Sequence, residues 1–189
     1  KPDIIISCGS SLAAVNYLLA REYQARSLVV MRPSILSTRR FDLVVMPRHD
    51  GPPRRRNVVG TEGALNLIDS GYLAQQRERL KQESGVAIEP GKPCAGVLIG
   101  GDTKDFSIGA SGVTELFGRL QKVAQESGLQ ILATTSRRTP AAIDAQLKRS
   151  AASDHSVRLL VIANEKNYPS AVGGILAMSD ILIVSAESI

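Results

Sequence analysis

Short, continuous apolar runs alternate with amphipathic stretches along the chain, a pattern typical of buried strands alternating with helices. In the first half, the run Ile4–Ile6 predicts a strand buried on both faces, and residues 12–23 predict the helix that follows it. This order with short links favours a parallel sheet with right-handed crossovers. The other strands predicted in this half lie at 27–31, 41–46 and 58–59.

The same order returns in the second half. Its predicted strands lie at 96–99, 130–134, 157–162 and 181–184, and its predicted helices at 112–126, 140–150 and 170–177. Between the halves lie a polar helix at 66–83 and the turn Pro90-Gly91-Lys92-Pro93, which predicts a domain linker. The sequence therefore predicts an α/β protein with two Rossmann-like parallel-sheet domains, one over 1–88 and one over 96–189.

The residues at both ends of the chain indicate a fragment of a longer protein. The chain opens with Lys1-Pro2 rather than Met and runs directly into a strand. It closes on the strand 181–184 with no helix after it, although a parallel strand usually returns through a crossover. We therefore expect each domain to be truncated.

Composition excludes several classes of protein. Hydrophobic residues make up 43% of the 189 residues and charged residues 22%, which excludes a disordered chain. No apolar run is long enough to cross a bilayer. Two cysteines are too few for a disulfide framework, so a reducing cytoplasm is the expected compartment. Aromatic residues are only 4%, which argues against a stacking surface for single-stranded nucleic acid.

The net charge of +5 is concentrated in one segment. Seven arginines lie between Arg32 and Arg56, against only two acidic residues, Asp42 and Asp50. Guanidinium groups bind phosphate and carboxylate groups bidentately. The segment is either a solvated basic loop or a surface for an anionic partner, and we expect no nucleic acid. A peripheral contact with an anionic membrane stays open.

Small, hydroxylated and charged residues follow nearly every strand, where ligands bind in open parallel sheets. Gly100-Gly101 follows one strand and suits close approach of backbone amides to an anion, or an ordinary turn. Neither the dinucleotide nor the P-loop glycine pattern is present. Ser136-Arg137 follows the next strand, before a helix for which Thr139 is the predicted N-cap and Pro140 the first residue. The arginine either meets an anion there or belongs to a surface pair.

The last two strand ends carry further candidates. Asn164 begins the loop after one strand, which either holds a base or sugar or forms a turn. Glu187, with Ser185 and Ser188, follows the last strand and can bind a ribose diol, or can cap a helix that follows.

Catalytic and metal chemistry has few candidates. His49-Asp50 can form a base with an orienting carboxylate. The two histidines are far apart and the cysteines lack C-x-x-C spacing, so no metal site is predicted. Cys8 has no partner for nucleophilic catalysis, and we expect a small buried thiol.

Seven ordered segments resemble the mitochondrial fission "elongated mitochondria" family and its bacterial relatives, across nearly the whole chain. They are residues 2–9, 41–50 (FDLVVMPRHD), 61–66, 98–102 (LIGGD), 134–140 (TTSRRTP), 163–167 and 179–188 (SDILIVSAES).

The resemblance implies a glycosyltransferase of the GT-B type, in which two Rossmann-like domains face each other across a cleft. It implies a nucleotide-sugar donor in the second domain, held without a cofactor or obligatory metal, and an unknown acceptor in the first. The donor would lie at Gly100, Gly101, Ser136, Arg137, Asn164, Ser185, Glu187 and Ser188. An anionic acceptor would lie at Gly9, Arg32 and Arg48, with His49 or Asp50 as the base.

Two other functions stay open. Plant members of the family are linked to division of mitochondria, so a non-catalytic GT-B-like interaction scaffold is the alternative. A sugar epimerase, a label also given to bacterial members, would need a dinucleotide fingerprint that this chain lacks.

Overall fold

A computed structural model of the protein describes residues 1–102 and 107–185. It divides into two compact units, Lys1–Leu67 and Ile68–Ile189. Each unit contains a four-stranded parallel sheet with helices against it, so the predicted α/β class with two Rossmann-like domains is confirmed.

The sheet of the first unit has the strand order β1-β2-β3-β4, and all its neighbouring strands are parallel. Its elements are β1 (Ile4–Cys8), α1 (Ala13–Tyr23), β2 (Arg26–Val30), β3 (Leu43–Pro47) and β4 (Val58–Thr61). Val29 pairs with Val44 across β2 and β3, and both are fully buried. Phe41 and Met46 complete this small core. Apolar β-branched strands therefore build the sheet, as the sequence pattern predicts.

Strand β1 is more exposed than its apolar run predicts. Ile4 and Ile6 are 56% and 66% exposed, and Cys8 is exposed as well. The expectations of a strand buried on both faces and of a buried Cys8 thiol were therefore wrong. Among the described strands, β1 pairs only with β2, so it lies at the edge of its sheet.

The sheet of the second unit has the order β7-β6-β5-β8, again all parallel. Its elements are α2 (Ser70–Ser84), β5 (Cys94–Leu98), α3 (Ala110–Ser127), β6 (Gln130–Thr134), α4 (Ala141–Ala152), β7 (Val157–Val161), α5 (Ala171–Met178) and β8 (Ile181–Val184). Every residue of the central strand β6 is buried. Helix α3 packs Val113, Phe117 and Leu120 into the core at helical spacing.

Helix α2 belongs to the second unit, although the sequence assigns it to a first domain over 1–88. It packs against α5, where two glycines allow the helices to approach closely. A Cβ on Gly173 would lie 2.7 Å from Cγ of Gln76, and one on Gly174 would lie 2.5 Å from Cβ of Leu80. Leu80 is fully buried in the core formed with Ile175 and Met178.

The predicted linker at 85–93 is also attached to the second unit. Gln130 at the start of β6 accepts a hydrogen bond from the backbone N–H of Glu89 at 2.7 Å and donates one to its carbonyl oxygen at 3.1 Å. Arg158 bonds to the side chain of Glu89 and to the carbonyl oxygen of Ala87. The compact units therefore divide between Leu67 and Ile68, ahead of this segment.

Candidate functional site

The chain changes direction at β5, the point of an open sheet where ligands bind. From β5 it proceeds through α3 to β6 and β7 on one side, and then returns through α5 to β8 on the other. The loops after β5 and β8 are thus neighbours at the carboxyl edge. The backbone N–H of Gly100 donates to Oγ of Ser185 at 2.7 Å, which joins these two loops.

Thr139 connects the loop after β6 to the loop after β5. Its hydroxyl donates to the carbonyl oxygen of Gly100 and accepts from the backbone N–H of Ser136 at 2.9 Å. Only 3% of Thr139 is exposed. Helix α4 begins after Pro140, and no side chain caps it, so the prediction of Thr139 as the N-cap is wrong. Its hydroxyl is used between loops instead.

Gly101 lies against the backbone of the loop after β6. A Cβ at Gly101 would lie 2.1 Å from the carbonyl carbon of Arg138, so only glycine fits. The tight approach at Gly100-Gly101 is thus made by protein backbone, and the Gly100 amide is used by Ser185. Anion binding at this pair of glycines stays a prediction.

Asn164 joins the same edge from the loop after β7. Its side-chain amide donates to the carbonyl oxygen of Thr139 at 3.2 Å and to Oδ2 of Asp144 at 3.1 Å. The structure therefore brings together five of the predicted donor-site residues through Thr139 and neighbouring backbone: Gly100, Gly101, Ser136, Asn164 and Ser185.

Arg137 occupies the exposed tip of the turn before α4. Ser136 shapes this turn by accepting, on its Oγ, a hydrogen bond from the backbone N–H of Arg138 at 3.0 Å. Within residues 1–102 and 107–185, the Arg137 side chain has no hydrogen-bond or ion-pair partner. Its guanidinium is therefore available to a ligand at this edge. Glu187 and Ser188, predicted as ribose ligands, lie outside the described residues.

A cavity of about 190 Å³ lies beside the contact between Gly100 and Ser185. Ile99 and Ser185 line one side, and Gly109 and Gly112 at the start of α3 line another. Helix α3 has Gly109 as its N-cap, with no side-chain hydrogen bond to its first turn and no acidic residue there. Just before this helix, Oδ1 of Asp102 accepts hydrogen bonds from the backbone N–H of Ile108 at 2.8 Å and from Oγ of Ser107 at 3.2 Å. The first amides of α3 itself can donate to a further anionic group, which the positive end of an 18-residue helix favours.

The predicted acceptor and base residues lie at the carboxyl edge of the first unit. Gly9, after β1, has φ +104°, which glycine adopts readily. Nη1 of Arg32 donates to the carbonyl oxygen of Asp50 at 3.1 Å, so the loops after β2 and β3 meet. Arg48 instead forms an exposed ion pair with Glu62 at 2.7 Å. Nε2 of His49 lies 3.9 Å from Oδ1 of Asp50, too far for a direct hydrogen bond.

Asp144 is a residue of this edge that the sequence did not single out. It is 5% exposed, its Oδ1 has no hydrogen-bond partner among the described residues, and it lines a cavity of about 600 Å³ beside α4. The available signal was an acidic residue between Ile143 and Leu147 on the apolar face of α4. Through Asn164, Asp144 fixes the loop after β7.

The described residues form neither a metal site nor a membrane-spanning helix. No group of three or more His, Cys, Asp or Glu side chains in this part of the chain is arranged to hold a metal ion. No described helix is both long enough and apolar enough to cross a membrane.

The fold and its strand-end loops define a two-unit, Rossmann-like α/β protein. The family model for mitochondrial fission ELM1 matches residues 1–189, and the chain belongs to this family. It is also similar to the uncharacterized protein RP120 of Rickettsia prowazekii (strain Madrid E), with 23% identity over 220 aligned residues. That alignment covers 100% of this chain and 60% of the Rickettsia protein.

Proposed function

We propose that the second unit binds the diphosphate of a nucleotide-sugar, as the donor half of a GT-B-type glycosyltransferase. The observation that carries this proposal is the junction of Gly100 and Ser185 at the point where the strand order reverses. Open α/β sheets bind nucleotides at such a point. Membership in the ELM1 family supports the same class.

The electrostatics of this edge suit a diphosphate. The amides at the start of α3 have no side-chain cap and supply fixed dipoles. The guanidinium of Arg137, which has no ion-pair partner among the described residues, supplies a full positive charge. Negative charge grows on the leaving diphosphate during sugar transfer. Preorganised donors of this kind stabilise such a transition state by about 3–4 kcal/mol each. In our proposal Arg137 and the α3 amides therefore contribute both to binding the diphosphate and to the transfer step.

The acceptor in this proposal binds to the first unit. Arg32 is the better candidate for an anionic acceptor, because Arg48 is already paired with Glu62. His49 is the proposed base, and Asp50 orients its imidazole once the 3.9 Å separation between Nε2 and Oδ1 shortens to a hydrogen bond. Apo sites often tighten in this way when substrate binds.

Calorimetry with UDP-, GDP-, ADP- and CMP-sugars tests the donor site. One member of the panel should bind the protein, and Arg137→Ala should weaken its binding roughly tenfold or more. The matched control is Arg119→Ala, which removes the same charge from the exposed face of α3, where Arg119 pairs with Glu115. A folded protein that binds no member of the panel, or equal losses in both variants, would contradict the proposal.

An interaction scaffold is the second candidate function. Apolar side chains on the first unit favour it, since Ile6 on β1 and Leu18 on α1 are each 66% exposed. A scaffold would keep its function when Arg137 and Glu187 are replaced by alanine. Loss of function in those variants would exclude it.

A further inference from the structure

The arginine-rich segment of the first unit divides between the two edges of its sheet. Arg32 and Arg48 lie at the carboxyl edge, after β2 and β3. Arg39 and Arg40 lie in a short 3-10 turn that precedes β3, and are therefore at the amino edge. Arg21, in the last turn of α1 before β2, approaches the same edge. The proposed function involves only the arginines at the carboxyl edge.

Arg21 and Arg40 are held together by one tyrosine. Nη2 of Arg21 and Nη1 of Arg40 each donate to the phenolic oxygen of Tyr17 at 3.3 Å. Both guanidinium carbons also lie over the Tyr17 ring, at 5.4 and 5.5 Å from its centroid. Tyr17 is fixed in turn by an edge-to-face contact with the buried Phe41. The two cations are thus positioned on a rigid support.

The two guanidinium groups have no acidic partner among the described residues. Both donate to a single phenolic oxygen, so their nitrogens lie within about twice a hydrogen-bond length of each other. Like charges this close repel each other. The hydrogen bonds and the positive charges of the two arginines lower the pKa of Tyr17, because they favour its phenolate form.

A cavity of about 410 Å³ opens beside this pair. Asp42 lines it too, but Oδ2 of Asp42 accepts hydrogen bonds from the backbone N–H and hydroxyl of Ser27, and Arg26 interacts with its charge. The carboxyl end of α1 adds at most about half a negative charge. The lining therefore carries two arginines against one carboxylate and the helix end, which leaves a net positive charge of about half a unit.

We propose that Arg21 and Arg40, clamped on Tyr17, form a binding site for a phosphate group carrying two negative charges. Tyr17 holds one nitrogen of each guanidinium, and one phosphate can bridge the two groups through their remaining N–H groups with hydrogen bonds of about 2.7–2.9 Å. Such a group occurs on soluble phosphomonoesters and on the headgroup of phosphatidic acid. The site lies at the opposite edge of the first sheet from the proposed acceptor residues.

Calorimetry with inorganic phosphate at low ionic strength tests the site. Arg21→Ala and Arg40→Ala should each weaken phosphate binding by roughly tenfold to a hundredfold. Tyr17→Phe keeps the ring but removes the shared acceptor, and should weaken binding less. The matched control is Arg39→Ala, which removes the charge of the neighbouring residue, also exposed, and should leave binding nearly unchanged.

Circular dichroism and thermal unfolding of each variant would first establish that it is folded. Absence of phosphate binding to the unaltered protein, or an equal loss in Arg39→Ala, would overturn the proposal. Two further binding measurements identify the source of the phosphate. Glycerol 3-phosphate represents a soluble ester, and vesicles of phosphatidylcholine with phosphatidic acid represent a lipid. Binding in either measurement that depends on Arg21 and Arg40, and is independent of Arg39, supports the site.

Discussion

The hydroxyl of Thr139 donates a hydrogen bond to the carbonyl oxygen of Gly100, a residue 39 positions earlier in the chain. This contact attaches the turn carrying Arg137 to the loop that begins the proposed diphosphate site. The carboxyl edge of the second sheet is therefore a connected set of loops rather than four independent turns.

Replacing Thr139 by valine should lower the free energy of unfolding by about 1–3 kcal/mol. Valine has a similar shape, but it removes the buried Thr139 hydroxyl that pairs with the Gly100 carbonyl and the Ser136 amide. Urea unfolding measures the change. Thr139→Ser keeps the hydroxyl and is the control. Unchanged stability in Thr139→Val, or a larger loss in Thr139→Ser than in Thr139→Val, would contradict a main role of these hydrogen bonds.

Replacing Gly101 by alanine should destabilise the second unit by about 1–3 kcal/mol or more, because the new Cβ would overlap the Arg138 backbone. Gly118→Ala is the matched control, since nothing lies within 4 Å of a Cβ there and alanine is the better helix former. In thermal unfolding, Gly101→Ala should therefore lower the Tm and Gly118→Ala should raise it. A stable Gly101→Ala protein would mean that the two loops separate easily.

The first unit should lose stability in acid through Asp42. Hydrogen bonds from the backbone and hydroxyl of Ser27 lower the pKa of Asp42 below its usual 3.8, so its charged form is favoured by folding. The resulting stabilisation is complete above that usual value and is lost as the pH falls through the lower, folded-state value.

Asp42→Asn should reduce the dependence of the free energy of unfolding on pH in this acidic range. Urea unfolding at pH 7 and at pH 3 measures this dependence. The difference in urea midpoint between Asp42→Asn and the unaltered protein should be smaller at pH 3. Ser27→Ala should reduce the effect of the Asp42 substitution, because it removes one of the hydrogen bonds to the carboxylate. Parallel pH profiles for the unaltered protein and Asp42→Asn would contradict the assignment.

The two cysteines should differ in reactivity. Cys8 is exposed, whereas Cys94 is 2% exposed and burial raises the pKa of its thiol. A thiol reagent should therefore label one cysteine in the folded chain and both after unfolding. Cys8→Ala should abolish the fast reaction and Cys94→Ala should preserve it. Fast labelling that persists in Cys8→Ala would show that the region around β5 opens readily.

Local pattern predicted the secondary structure well. The strands 130–134 and 181–184 agree with β6 and β8 at both ends, because short apolar runs bounded by turn residues define buried strands closely. Helix α3 extends two residues earlier than predicted, through small residues that carry no periodic signal. The parallel order followed from the alternation of strands and helices.

Contacts between distant segments could not be predicted in the same way. Thr139 has the sequence features of an N-cap, and only its approach to Gly100 shows why its hydroxyl is used elsewhere. The arginines between Arg32 and Arg56 look like one cluster in the sequence. However, the loop before a strand and the loop after it lie at opposite edges of the sheet, so Arg40 and Arg48 are separated by the length of β3. Their separation into two groups depends on where β3 begins and ends.

The glycine pair of α5 also determines how the polypeptide can be dissected. A fragment beginning at the Pro90–Pro93 turn would lack α2 and would expose the surface of α5 around Gly173 and Gly174, against which α2 packs. A fragment beginning at Ile68 instead retains α2, the hydrogen-bonded segment around Glu89 and the four described strands of the second sheet. That longer piece is the one to express when the second unit is studied alone.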